Sequence, residues 1–247
     1  MDDWNLKPAA DLGLPVSERL RSERREPGLV ESAGHLFRWG LMRAFLRFYH
    51  RIEVSGRDNI PKHPPFVMVS NHTSHLDALV LASALSGNLQ DRVFPIAAGD
   101  AFFETPALAA FATFLLNALP MWRQRGRAHS LEVLRERLTA DACAYILFPE
   151  GTRSREGRIS SFKAGLGLLI AGTGVPVVPC YLDGTFQALP PGSQFPRPTK
   201  IQLRIGTALS FSRVKNQRDG WNEIAATTEI AVRKLGEFRV ARDGMKW

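Results

Sequence analysis

The sequence predicts an α/β fold, with a mostly parallel central sheet flanked by helices and an N-terminal amphipathic helical segment in front of it. Three observations lead there. From about Gly56 onward, short β-like runs alternate with runs of helical period. Two polar clusters each follow directly on one of those β-like runs. Finally, 247 residues, 45% hydrophobic and 23% charged, are enough to bury a sizeable core.

Taken in order, residues 1–28 mix charges with Pro8, Pro15 and Pro27 and read as a loosely ordered leader. Residues 29–51 take a helical period. On a helical wheel Phe37, Leu41, Phe45, Phe48 and Tyr49 share one side, widened by Trp39 and Leu46, while Arg43, Arg47 and Arg51 stack on the other. Such a helix suits the headgroup boundary of a bilayer, and equally suits packing on its own domain with a solvated arginine face.

Residues 52–212 form the α/β domain. Within it Phe66–Val69 reads as a buried strand, Leu76–Leu85 as a helix, Val93–Ala97 as a strand, Ala107–Asn117 as an apolar helix and Ala118–Trp122 as a short strand. Next come an amphipathic helix over Arg127–Thr139, a strand over Ala144–Phe148, a helix over Ala164–Ala171, and strands over Val175–Leu182 and Ile201–Ile205. Residues 213–247 are a C-terminal extension whose helix, Trp221–Glu237, is expected to pack on the same domain.

The net charge of +8 and pI near 10.0 favour an anionic partner, and the surplus lies mainly in residues 119–163 and 197–247. No nucleic-acid reading module is recognisable, so the expected anions are lipid or phosphorylated small molecules. Cys143 and Cys180 sit in apolar runs and read as buried reduced thiols. The first residues lack the basic and apolar regions of a signal peptide, so secretion is not expected. The uncharged runs 105–122 and 164–182 are broken by prolines or glycines, and neither reads as a membrane span.

The first polar cluster is Asn71-His72-Thr73-Ser74-His75-Leu76-Asp77. It lies between a strand and a helix, at a carboxyl strand end, where open α/β sheets place their active sites. Four residues separate His72 from Asp77, so the carboxylate can curl back to the imidazole Nδ1 and leave Nε2 as a base. Two other readings stay open at this point: a capped helix start with surface histidines, and a metal site using His72, His75 and Asp77. The second cluster is Phe148-Pro149-Glu150-Gly151-Thr152-Arg153-Ser154. Gly151 allows a tight turn and Arg153 offers a planar fork for phosphate, with Arg155, Arg158 and Lys163 following, although a solvated turn would read the same way. Gly165-Leu166-Gly167 lacks the third glycine of a dinucleotide loop, and neither a Gly-Lys-Ser/Thr nor a Gly-x-Ser-x-Gly motif occurs.

Together with Val175-Pro176-Val177-Val178-Pro179-Cys180, these blocks stand in the order of the glycerolipid acyltransferases, and roughly residues 50–212 resemble that family, typified by the lysophosphatidic acid acyltransferases. The resemblance implies an enzyme that moves a fatty acyl group from an acyl-CoA or acyl carrier protein thioester to the free hydroxyl of a lysophospholipid, 1-acylglycerol-3-phosphate first. It casts His72 as general base and Asp77 as its orienting partner, with no acyl-enzyme, no cofactor and no metal. Arg123, Glu150, Gly151, Thr152 and Arg153 match the acceptor phosphate and glycerol site, and Leu108, Phe111 and Leu115 are candidates for an acyl-chain wall. The family often carries a lysine where this chain reads Ala97-Ala98-Gly99-Asp100-Ala101-Phe102-Phe103. A lipid substrate moves segment 29–51 toward membrane binding, at the cytosolic face. A metal-dependent hydrolase and a catalytically silent lipid-binding protein are the rival expectations.

Overall fold

The computed structural model describes residues 15, 18, 40–86, 89, 92–98, 119–121, 127–141, 143–193 and 195–243. Within them the strands are β1 (Glu53–Ser55), β2 (Phe66–Ser70), β3 (Val93–Ala98), β4 (Leu119–Met121), β5 (Ala144–Leu147), β6 (Val177–Asp183) and β7 (Gln202–Ile205). The helices are α1 (residues 40–48), α2 (Leu76–Ser83), α3 (Arg127–Ala140), α4 (Gly165–Ile170), α5 (Thr185–Ala188) and α6 (Arg218–Asp243). One sheet runs β1-β7-β6-β2-β5-β3-β4, and every neighbouring pair is parallel except β6 with β7.

The period of two along the strands divides the core into two layers. Phe66 and Met68 of β2, with Ala144 and Ile146 of β5, face α2 and Leu46 of α1. Val67 and Val69, with Tyr145 and Leu147, face α3, α4 and α6. Both faces of β2 and β5 are covered, so these strands read in sequence as unbroken apolar runs. Cys143 and Cys180 are buried, unpaired thiols, and burial pushes both pKa values up. Among the described residues no helix is long and apolar enough to cross a membrane.

Three expectations need correction. The alternation begins before Gly56, with β1. Glu53 and Ser55 are exposed and only Val54 is half-buried, so three residues held by pairing with β7 leave almost no apolar signal. The arginine row is shorter than the wheel suggested: α1 ends at residue 48, and Arg51 lies beyond it in a left-handed conformation, φ 46°. The broad apolar side of that helix is also divided. Leu46 is fully buried with Met42 and Phe45 against the core, whereas Leu41 and Phe48 are 65% and 78% exposed. Residues 29–39, the helix expected at 107–117 with Leu108, Phe111 and Leu115, and Trp122 and Arg123 lie outside the described residues.

Helix α6 is longer than Trp221–Glu237 at both ends and packs on α4 and β6. Close approach of α4 depends on Gly167, where a Cβ would overlap the backbone of Trp221. Arg135 of α3 holds the other end of α4, donating to the carbonyls of Leu168, Leu169 and Ala171. Gly167→Ala is expected to cost about 1–3 kcal/mol through overpacking and to lower the melting temperature by several degrees. Gly174→Ala, with no atom within 4 Å of a new Cβ, should leave it nearly unchanged. Calorimetry of the two variants checks the assignment.

Candidate active site

Strand register brings the two polar clusters together. Val69 of β2 pairs with Leu147 of β5, so the segments leaving the carboxyl ends of these neighbouring strands start side by side. After β2 the chain moves outward to β3. After β5 it returns across β2 to β6, which makes this edge the point where strand order reverses, the place at which open α/β sheets bind their ligands. Asn71 fixes the exit from β2, since its Nδ2 donates to the Leu182 carbonyl at 2.9 Å and its Oδ1 accepts from the Leu182 N–H at 2.8 Å. The loop is pinned further by Thr73 Oγ1 against Thr185 Oγ1 at 3.0 Å and by Ser74 Oγ donating to the Leu189 carbonyl at 2.8 Å.

Asp77 enters from the first turn of α2 with no exposed surface. Its Oδ2 lies 2.9 Å from His72 Nδ1 and accepts the backbone N–H groups of Thr73 and Ser74 at 2.7 and 2.8 Å. Three donors on Oδ2 fix the loop around the imidazole and offset part of the lost hydration, while Oδ1 is buried with no hydrogen-bond partner among the described residues. Phe148 stacks on the His72 ring with centroids 4.0 Å apart, and His72 keeps 21% of its side-chain surface exposed. A base held on Nδ1 and covered on one face is thereby given a single orientation.

The second cluster wraps the same histidine. Ser154 N–H donates to the His72 carbonyl at 2.8 Å, while Glu150 Oε1 accepts the His72 N–H and Oε2 the Ser160 N–H, both at 2.7 Å. Glu150 is 3% exposed. Burial pushes its carboxyl above the ordinary range, opposed by the Ser160 and His72 hydrogen bonds. Both Glu150 oxygens are thus taken by main chain, so this residue ties the two loops together. Gly151 has φ 75°, and a Cβ there would lie 2.7 Å from Lys163 Nζ. Thr152 is exposed and Arg153 partly buried; burial lowers the Arg153 pKa while Asp77 opposes the shift, which puts the guanidinium in the field of the His–Asp pair. The far end of this loop is held by α6. Glu229 Oε2 accepts the Phe162 N–H at 2.8 Å, and Arg233 donates to the Ile159 carbonyl at 3.0 Å.

His75 stays open to solvent, yet partial burial of the ring, then Arg153 and His72, push its pKa down to about 4, with Asp77 opposing. Among the described residues no group of three or more His, Cys, Asp and Glu side chains is placed to hold a metal ion. The structure therefore brings His72, Asp77, Glu150, Gly151 and Arg153 together. It gives Phe148 a role that the motif reading did not assign, and it adds contributors outside the two clusters, Ser160, Leu182, Thr185, Leu189, Glu229 and Arg233 among them. Phe148 stood inside the second block and could have been suspected; the others act through backbone groups or long-range ties that leave no local pattern.

The chain is 35% identical over 149 residues to the chloroplastic 1-acyl-sn-glycerol-3-phosphate acyltransferase LPAT1 of Arabidopsis thaliana, which covers 59% of this chain and 40% of that protein. It is 37% identical over 136 residues to the human 1-acyl-sn-glycerol-3-phosphate acyltransferase alpha, covering 54% and 46%. The chain thus spans less than half the length of these two relatives. A crystal structure of the 1-acyl-sn-glycerophosphate acyltransferase PlsC from Thermotoga maritima superposes with a TM-score of 0.61 at 24% identity, covering 86% of this chain and 83% of that one, and shares the fold. The acyltransferase family model matches residues 51–183, which contain both loops and every strand from β1 to β6, and the chain belongs to the acyltransferase family.

Proposed function

We propose that this chain transfers a fatty acyl group from an acyl-CoA or acyl carrier protein thioester to the free hydroxyl of 1-acylglycerol-3-phosphate, giving phosphatidic acid. The observation that carries the reading is the 2.9 Å contact between His72 Nδ1 and buried Asp77 Oδ2, which leaves Nε2 as the available base. The names of the Arabidopsis and human relatives support the acceptor.

In the proposed reaction His72 Nε2 takes the acceptor hydroxyl proton as its oxygen attacks the thioester carbonyl carbon. The tetrahedral intermediate collapses with cleavage of the C–S bond, and the departing thiolate receives the proton from His72. No protein nucleophile takes part. Asp77 holds the ring and stabilises the imidazolium while it lasts. Glu150 and Phe148 keep the ring in that position from the second loop. Arg153 receives the acceptor phosphate, for which a guanidinium fork is suited. Arg123 in the acceptor site, and Leu108, Phe111 and Leu115 along the acyl chain, keep the roles that the resemblance implies. The enzyme works at the cytosolic face of a membrane, with α1 against the bilayer.

Thioester-dependent acylation, followed by thiol release and by mass spectrometry of the lipid product, tests this. His72→Ala is expected to lower kcat by at least the roughly 10²–10⁴-fold typical of a general base in a protein that stays folded, with a melting temperature lowered by the lost Asp77 and Phe148 contacts; comparable activity would remove the base assignment. Arg153→Ala is expected to raise KM for 1-acylglycerol-3-phosphate by about tenfold or more, the value of a charge-assisted hydrogen bond. The same variant should treat a phosphate-free monoacylglycerol as wild type does. An unchanged KM for the phosphate-bearing acceptor would take Arg153 out of the site.

A further inference from the structure

At the other edge of the sheet, α1, the turn over Arg57–Asn59 and the end of α2 enclose a cleft of about 810 Å³. It is remote from His72. His72 follows the last residue of β2, whereas Ile60 and Lys62 of the cleft precede the first. Helix α2, about 12 Å long at 1.5 Å per residue, separates the two, with the His72 loop at its start and Ser83 of the cleft at its end. The floor is apolar, built on Leu46 and Ile60. Four cations line it, Arg43, Arg47, Arg57 and Lys62, and no Asp or Glu is among the described residues that do.

None of these four cations forms an ion pair among the described residues. Arg43 is instead held in place by donating to the Leu85 carbonyl. Burial lowers its pKa, and the charge of Arg57 lowers it further, so like charges are gathered here at a cost in mutual repulsion. On the same helix Leu41 and Phe48 are exposed, more than a quarter turn round from Arg43 and Arg47.

We propose that this cleft binds the phosphate headgroup of an anionic phospholipid while Leu41 and Phe48 enter the acyl boundary of the same leaflet. Two requirements meet on one helix: α1 supplies cations to a cleft with an apolar floor for the headgroup, and it carries exposed apolar side chains for the acyl boundary. The proposal extends the membrane part of the acyltransferase reading to a defined site. Its readout is lipid binding, so loss of docking and loss of turnover are separate results.

The test is vesicle co-sedimentation of the full chain, using phosphatidylcholine alone and phosphatidylcholine mixed with phosphatidylglycerol. Arg57→Gln with Lys62→Gln removes two exposed charges from the cleft and is expected to weaken binding to the anionic vesicles about tenfold or more. Arg213→Gln with Lys215→Gln removes the same charge from the exposed segment before α6 and should retain most of the binding. The cleft variant should also keep wild-type turnover in detergent-dispersed assays. Equal losses in the two pairs would reduce the effect to diffuse net charge and overturn the proposal. So would unchanged vesicle binding in the cleft variant, and in particular unchanged binding with a raised KM for acyl-CoA, which would make the cleft a donor site.

Discussion

The carboxylate of Asp77 is fully buried at the start of α2, and its Oδ2 joins the His72 ring to the N–H groups of Thr73 and Ser74. Removing such a group from water is costly unless donors replace the lost hydration, and here the donors are the loop that carries the histidine. The loop conformation and the ring orientation are therefore one arrangement. A first-turn position also sets the negative charge at the positive end of the helix. Neither Thr73 nor Ser74 contributes a side chain to that carboxylate, which is why a short segment of small polar residues can build a site of this kind.

The sheet decides what meets this arrangement. With β5 beside β2 in register, the second loop starts next to the first, and Glu150 spans them with one oxygen on each side. Phe148 adds a flat apolar cover to the imidazole. From behind, α6 holds the far end of the second loop through Glu229 and Arg233, so a helix more than 60 residues downstream of the second block supports the chemistry. Arg153 is left on the open side, near Asp77 but not consumed by it.

Much of this was legible in the sequence because central strands covered on both faces are unbroken apolar runs, and polar clusters following them mark the carboxyl edge. Phe66–Val69 and Ala144–Phe148 match β2 and β5 to within one residue. The pairing of His72 with Asp77 was legible because the spacing crosses a strand-to-helix turn. Three features were hidden for physical reasons. β1 exists only through pairing with β7. The division of α1 into a buried Leu46 and exposed Leu41 and Phe48 is set by where the helix crosses the sheet. The work of Glu150 was hidden too, since a carboxylate bonded to main-chain N–H groups looks in sequence like one awaiting a ligand.

The central claim is that Asp77 fixes the tautomer of His72, and nitrogen NMR of the imidazole-labelled protein addresses it most directly. In the neutral ring the account predicts a proton on Nδ1, donated to Asp77, and a bare Nε2, with this signature lost in Asp77→Asn. A neutral His72 protonated at Nε2, or a spectrum indifferent to Asp77→Asn, would contradict it.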